Sequence, residues 1–483
     1  MKKIEKLDNA KTMSISLYNE KQEWLVKKNP NKWMLTVLFI GIAIIFVNYC
    51  FADYIIIIRH SFGLLDCILN GNIFNFYTYA TGLSTSVVGP GEVPYDVWAY
   101  LPVAIWNLPI YIYEKITGLI FDTNWILIAW AKLLFIFPFV FANIAIKKIA
   151  EKFNKKSAQW VPFLFSSSAL LLLSTFNFTQ IDIFTVCFTL WGVKAYLEHD
   201  DKKFLLFFAL AIPFKMMAMF AFIPLVILKE KRFIYIIRNL AIGFSLSIFS
   251  KAVFFFDKMN TPTSFDEIRF SGNLFKNVLN ASSGEISLFI FAFLALLVFC
   301  YAFKAKNTDE FKYVSIYVCF LAFAIFFTLG FTTPHWILNI TPYIVLLVAI
   351  QPQKNAVIVL LLEIAASAGN VLAMYFGKMS FCFGSKDNIS NMLLGKILPV
   401  EEPIVLSNLF LDFSLNKLIP IFFLTIFVFG IFALGYFFCP YRKGFEYNKD
   451  NVFLDKGIVV FRLFLNIGIS LIPLVFYFLY AIL

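Results

Sequence analysis

Four residues able to do acid–base or charge chemistry follow the first long apolar run of the chain: Asp53, Arg59, His60 and Asp66. They belong to FADYIIIIRHSFGLLD, residues 51–66, which we predict to leave the membrane with Asp53 at the water boundary. A carboxylate there, backed by a basic side chain and an imidazole, can remove a proton from a hydroxyl on a lipid-borne substrate. The alternative is that these residues only solvate the end of a membrane span.

Two further polar positions interrupt later apolar runs. Gln180 and Asp182 lie in TQID, a short turn before a span, where Asp182 would face the same side as Asp53 or would simply begin a helix and complement its dipole. Lys215 follows Pro213 in AIPFKMMAMF, between two short apolar arms. A lysine is costly in lipid, so we expect it to reach water, a carboxylate or an anion such as a lipid phosphate, or to snorkel to a headgroup.

A third polar turn is TTPHW, residues 332–336. His335 could bind a phosphate or orient a sugar hydroxyl, and Trp336 could stack on a sugar or anchor the membrane interface. Glu363 lies near the middle of a later apolar run, where an acid should be paired or face a wet cavity. Lys215 is a candidate partner for Glu363.

The composition indicates that most of the chain is surrounded by lipid. Of its 483 residues 60% are hydrophobic and only 15% are charged, whereas soluble domains are about a quarter charged. Apolar runs of about 20 residues, the length that crosses a bilayer, recur from Trp33 to the C-terminus. The sequence therefore predicts an all-α, polytopic membrane protein.

Several function classes lack the patterns that they need. The seven cysteines are scattered without a C-x-x-C pair, so neither a disulfide framework nor a zinc site is indicated. No G-x-x-x-x-G-K-S/T, H-E-x-x-H or G-x-S-x-G motif occurs, which leaves ATP-driven transport and serine hydrolysis without support. No cofactor is required, and a divalent metal is compatible with the sequence but unsupported by it. Basic loops beside membrane spans, not nucleic-acid binding, explain the net charge of +11.

The distribution of charge predicts the topology. We assign residues 1–32 to a cytoplasmic N-terminal segment and residues 33–483 to a single transmembrane domain with long outer loops at 53–124, 257–285 and 377–415. Most of the 41 lysines and arginines then fall in inner segments, as the positive-inside rule requires. This arrangement has about 13 membrane helices, a cytoplasmic N-terminus and an outer C-terminus.

Two apolar stretches are predicted not to be simple spans. Residues 203–228 would carry basic residues to both sides as one helix, whereas two half-length helices broken around 213–215 return both basic clusters to the cytoplasm. We therefore predict a hairpin there. Residues 97–113 contain two prolines and are predicted to form helices lying along or dipping into the outer surface within the first outer loop.

Four segments, in this order and spacing, resemble the polytopic GT-C glycosyltransferases, most closely their bacterial mannosyltransferase-like branch. They are ADY after the first span, the proline-containing YDVWAYLPVAIWNLPIYIYEKITG, the turn TQID, and AIPFKMMAMFAFIPLVIL. The resemblance covers roughly residues 33–230, and TPHW matches the family's later outer turn only loosely. Thr179 stands where the family usually has glycine.

The resemblance implies a bundle of 11 to 13 membrane helices in the plasma membrane that acts on the extracytoplasmic side. The donor would be a polyprenyl-phosphate-linked sugar and the acceptor a glycan, a lipid or a protein. Asp53 would be the catalytic base. The leaving phosphate would be stabilised by Lys215, Arg59 or His335. The remaining candidates for substrate contact are His60, Asp66, Gln180, Asp182 and Trp336.

Two other functions stay open at this point. A transporter or flippase of lipid-linked saccharides would show repeats and polar residues in discontinuous helices, and the sequence has one broken hairpin but no repeat. A polysaccharide polymerase or ligase would be expected to use a large outer loop rich in Arg and His. The loops 257–285 and 377–415 hold only Arg269 and no histidine.

Overall fold

The computed structural model describes residues 29–86, 89–260, 274, 276–281, 284–330, 334–350, 353–376, 389–391, 418–443, 445, 454 and 456–482. Within them the chain is all-helical apart from two short pairs of antiparallel strands. The predicted N-terminal segment lies almost wholly outside these residues, as do large parts of the predicted outer loops 257–285 and 377–415.

The described part of the chain contains α-helices, one π-helix, several 3-10 turns and four short strands. In chain order the α-helices α1 to α20 are Lys32–Asn48, Ala52–Leu69, Phe76–Thr81, Val97–Trp106, Leu108–Thr117, Trp125–Leu133, Ile136–Ala150, Val161–Ser166, Ala169–Leu171, Asp182–Leu197, Asp201–Phe214, Met219–Lys229, Phe233–Gly243, Ser245–Val253, Leu288–Ala302, Thr308–Leu329, Thr341–Ala349, Gln353–Phe376, Leu418–Phe438 and Lys456–Ile482. A π-helix covers Leu172–Asn177, and 3-10 turns cover Ile73–Asn75, Phe121–Thr123, Ser157–Gln159, Met216–Ala218, Lys258–Asn260 and Pro334–Asn339. The strands are β1 Tyr49–Phe51, β2 Val278–Ala281, β3 Gly284–Ser287 and β4 Ile389–Asn391.

Several of these helices could span a membrane, as in a multi-pass membrane protein. Five segments of the described chain are long and apolar enough, and two helix pairs bent at a short break raise the number to seven if each pair is one span. The five are Trp125–Ala150, Thr308–Leu329, Asn355–Phe376, Leu418–Phe438 and Lys456–Val475. The predicted number of 13 is not confirmed, because several predicted spans in the described residues, such as α1 with 17 residues and α15 with 15, are shorter helices.

The start of the predicted first outer loop is helical. The helix α1 ends at Asn48, β1 pairs with β4, and α2 then begins at Ala52, so that Asp53 lies in the first turn of a helix. The isoleucine-rich sequence after Asp53 stays helical because most of its side chains are buried, in part against α4. Residues 97–113 form the two short helices α4 and α5, which meet at Asn107.

The predicted hairpin is present. The helix α11 ends at Phe214, Lys215 is extended with φ −161°, and a 3-10 turn leads into α12. The start of α11 and the end of α12 lie at the same end of the hairpin. Lys229, the last residue of α12, forms an ion pair with Asp201, the first residue of α11. Rings also pack between the arms, with Phe208 and Phe222 stacked at 4.9 Å.

Glu363 pairs with Arg462 and not with Lys215, which corrects the predicted partner. The two buried side chains meet through two hydrogen bonds of 2.6 and 2.7 Å, joining α18 to α20. Arg462 also donates to Ser167 Oγ at 2.7 Å, at the break between α8 and α9. The planar guanidinium matches the carboxylate with two parallel bonds, which a lysine ammonium cannot do.

Candidate functional site

Asp53 occupies the start of α2 as an exposed residue between buried neighbours. Its position in the first helical turn is favourable because the N-terminus of a helix stabilises negative charge. Gln180 donates a hydrogen bond from Nε2 to Asp53 Oδ2 at 3.2 Å, across 127 residues of sequence. The structure therefore joins the predicted base to the predicted TQID turn.

The TQID turn has a strained backbone that fixes where its side chains lie. It follows the π-helix, and Thr179 adopts φ +53°, a left-handed conformation that favours glycine. After the turn, α10 begins at Asp182, and Gln180 and Asp182 are both buried. The turn thus directs Gln180 to Asp53 while Asp182 enters the protein interior.

Asp182 and Lys215 form a buried ion pair. Lys215 Nζ lies 2.7 Å from Asp182 Oδ2, and the exposed fractions of the two side chains are 9% and 0%. Asn339 donates to the other carboxylate oxygen at 3.0 Å. Lys215 Nζ also lies 4.7 Å from the centre of the Trp336 ring, a cation–π contact. Asp182 was predicted to contact substrate, but both of its oxygens accept hydrogen bonds from the protein.

His335 is close to this pair but is not positively charged at neutral pH. Its ring stacks on Phe178 with centroids 5.4 Å apart and is 5% exposed. Burial and the positive charge of Lys215 hold the pKa of His335 well below its usual value. The predicted electrostatic contact between His335 and a phosphate therefore finds no support, although a neutral imidazole can still hydrogen-bond a hydroxyl or a phosphate oxygen.

The cluster around the TQID turn consists of Asp53, Gln180, Asp182, Lys215, Trp336 and Asn339. Arg59, His60 and Asp66 lie outside it. Arg59 pairs with Glu114 at 2.5 Å and lies against the rings of Phe62 and Phe121. It follows Asp53 by six residues, which is about 9 Å along a helix. The contacts of Arg59 argue against its predicted role beside a leaving phosphate.

His60 and Asp66 belong to other parts of α2. His60 is fully buried with its ring 5.9 Å from Tyr100, and burial lowers its pKa to about 4. Asp66 lies about 20 Å from Asp53 along the helix. It accepts a hydrogen bond from Tyr111 at 2.6 Å and pairs with Lys115 at 2.8 Å. Neither placement supports the predicted contact with the substrate.

Two residues that the sequence analysis does not single out also belong to the site: Asn339 in the cluster and Lys132 next to it. Asn339 carries no motif, although its position three residues after Trp336 puts it in the same 3-10 turn. Lys132, like Lys215, is a lysine inside an apolar run, and this pattern could have identified it. Its ammonium is buried beside the chain segments that precede Asp53 and Gln180.

The chemistry available in this arrangement is that of an exposed carboxylate bonded to a buried amide, together with a compensated ion pair. Asp53 can accept a proton, the Gln180 amide orients it, and Lys215 supplies positive charge that Asp182 partly neutralises. In the described part of the chain, no group of three or more His, Cys, Asp or Glu side chains could hold a metal ion.

Comparison of the chain with protein-family models, with curated proteins and with solved structures finds no match.

Proposed function

We propose that this protein is an integral membrane glycosyltransferase that moves a sugar from a polyprenyl-phosphate donor to a glycan, lipid or protein acceptor on the outer face of the plasma membrane. One observation carries the proposal. A single turn contacts both the exposed Asp53 carboxylate, through Gln180, and the Lys215 ammonium, through Asp182. One turn thereby anchors both a proton acceptor and a cation, the two groups that the transfer of a sugar from a phosphate requires.

In the proposed reaction Asp53 takes the proton of the acceptor hydroxyl as its oxygen attacks the anomeric carbon. The bond between that carbon and the phosphate oxygen breaks, and polyprenyl phosphate leaves with the electron pair. Lys215 is the cation that is bonded to the TQID turn, so it replaces Arg59 and His335 as the group that stabilises the leaving phosphate. Its bond to Asp182 would weaken as the phosphate gains charge, and Asn339 would continue to satisfy that carboxylate.

The proposal also includes an architecture for the membrane domain. In it the protein is a GT-C-like bundle of about 13 membrane helices with a cytoplasmic N-terminus, and α4 and α5 lie along the outer surface. Tyr49–Phe51, the strand immediately before α2, pairs with Ile389–Asn391 of the third predicted outer loop. The backbone of Ile389–Asn391 therefore lies beside the strand that leads into Asp53.

The proposal is tested with the purified full chain reconstituted in liposomes. A panel of polyprenyl-phosphate sugars with a radiolabelled sugar is supplied together with a mixture of membrane glycolipid and glycan acceptors. We expect one donor to yield labelled product and an equal amount of free polyprenyl phosphate. Carrier release without labelled product would indicate hydrolysis, and the absence of release for every donor would contradict the proposal.

A transporter of lipid-linked saccharides is the second candidate, favoured by a specific observation. The buried Glu363–Arg462 pair lies at the break between Ser157–Ser166 and Ala169–Asn177, which are bent by 42°. Discontinuous helices and paired intramembrane charges are typical of transporters. The same liposomes decide between the two, because a transporter would move the intact lipid-linked sugar between leaflets without releasing the carrier.

A further inference from the structure

Lys132 is a buried lysine within the apolar segment Trp125–Ala150. Lys132 is 0% exposed, and it takes no part in the proposed reaction or in the Glu363–Arg462 pair. A charged side chain in such a position is costly unless its hydrogen bonds are satisfied. Its contacts therefore indicate what the residue does.

The Lys132 ammonium binds backbone carbonyls of two separate chain segments. It donates to Phe46 O at 2.6 Å and to Tyr49 O, at the end of α1. It also donates to Phe176 O at 3.3 Å, in the last turn of the π-helix. Carbonyls at helix ends lack partners within their own helix and carry partial negative charge, so a buried ammonium is well suited to them.

These two segments lead directly to the residues of the candidate site. Tyr49 precedes Asp53 by four residues, and Phe176 precedes Gln180 by four. A hydrogen bond between the neighbours of Asp53 and Lys132 adds to these contacts. The hydroxyl of Tyr54 donates to Ala131 O at 2.7 Å. Three hydrogen bonds therefore join α6 to the Asp53 segment, at Phe46, Tyr49 and Tyr54, and one joins it to the Gln180 segment, at Phe176.

We infer that Lys132 is a positioning residue that sets the distance between Asp53 and Gln180, and so orients the carboxylate for the transfer. This inference rests on the proposed function. Lys132 does not touch Asp53 and acts only through the backbone that it binds. Its loss should therefore lower the rate of the chemical step and leave the binding of the donor nearly unchanged, since misplacement by about 1 Å can cost 100-fold in rate.

The kinetic test compares Lys132→Met with Lys132→Arg, and with Lys115→Met as the control lysine on α5. We expect Lys132→Met to lower kcat about 10- to 100-fold at a donor KM within about twofold of the parent protein. Lys132→Arg should recover part of kcat because a guanidinium has enough donors for three carbonyls. An unchanged kcat per folded molecule, or a loss that appears only in KM, would overturn the inference.

A second measurement is independent of sugar transfer. Asp53→Cys and Gln180→Cys are combined, and the pair is joined by a short bifunctional thiol reagent in the parent and in the Lys132→Met background. The inference expects a several-fold lower cross-linking rate in the second background, and equal rates would contradict it. If no donor supports transfer but the rates differ, the positioning by Lys132 stands and the proposed function fails.

Tyr54→Phe keeps the test decisive if Lys132→Met does not fold. This variant removes only the hydroxyl that binds Ala131 O, and it retains the ring that packs edge-on against Phe135. It should lower kcat several-fold with KM unchanged and should slow the same cross-link. Parent-like kcat and cross-linking in Tyr54→Phe would overturn the inference.

Discussion

Gln180 and Asp53 are hydrogen-bonded across 127 residues of sequence, with Gln180 Nε2 3.2 Å from Asp53 Oδ2. Gln180 is buried and Asp53 is exposed, so the amide is the fixed partner and the carboxylate is the group that can meet a substrate. Two residues further along, Asp182 holds Lys215. This turn is the physical basis of the proposed function.

The first prediction concerns the orientation of Asp53. Gln180→Leu keeps the approximate volume of the side chain and removes the hydrogen bond to the carboxylate. We expect the initial rate of sugar transfer to fall about 10-fold or more, since a poorly held base is less effective. Gln159→Leu, a glutamine in another turn, is the control. A Gln180→Leu protein with the full rate would show that the hydrogen bond has no role in the reaction.

The second prediction concerns the buried Lys215–Asp182 pair. Lys215→Met leaves the Asp182 carboxylate buried without its counter-charge, which typically costs about 3–5 kcal/mol of unfolding free energy. The double variant Lys215→Met/Asp182→Leu should be more stable than Lys215→Met alone, because no buried charge remains. Thermal unfolding in detergent measures both.

The matched control for this pair is the ion pair between Lys203 and Asp200, whose lysine is largely exposed. Its removal should leave the unfolding temperature unchanged, as solvent screens such pairs. If Lys215→Met and the double variant unfold at the same temperature, Asp182 is not left uncompensated and the two residues are not energetically coupled.

The third prediction is an acid sensitivity caused by His60. Burial lowers its pKa to about 4 in the folded protein, whereas the unfolded chain titrates near 6.5. Between these values the unfolded state binds more protons, so stability decreases as the pH falls from about 6.5 to 4, by up to about 3 kcal/mol. His60→Phe should fill the same space beside Tyr100 and remove this part of the acid sensitivity.

The measurement for His60 is the unfolding temperature at pH 7 and at pH 5 for the parent and for His60→Phe. His199→Phe is the control, because His199 is exposed. An identical loss of stability between the two pH values in the parent and in His60→Phe would mean that this imidazole does not titrate as burial requires.

The sequence predicts the hairpin and part of the site because local chemistry determines them. Pro213 and the opposing basic clusters require a break near Lys215, and the helix ends one residue before it. A helix begins at Asp182, the last residue of the TQID turn. This is the helix start, favoured by the helix dipole, that the sequence offered as the alternative to substrate contact. These features depend on neighbours in sequence, so they can be inferred without the fold.

The partners of the buried charges could not be predicted. Asp182 and Lys215 are 33 residues apart, and Glu363 and Arg462 are 99 apart. Helices that are apolar on all sides give no periodicity that reveals which face meets a neighbour. The burial of His60 could not be inferred either, because nothing in the sequence distinguishes a histidine at a membrane surface from one packed among aromatic rings.

The most direct test of the central claim is the initial rate of sugar transfer by Asp53→Asn compared with Asp66→Asn. Both variants replace one carboxylate on α2 with its neutral isostere, and only Asp53 is bonded to Gln180. The account predicts a loss on the order of 100- to 10,000-fold for Asp53→Asn and a nearly unchanged rate for Asp66→Asn in equally folded protein. Full transfer by Asp53→Asn with a polyprenyl-phosphate sugar would contradict it.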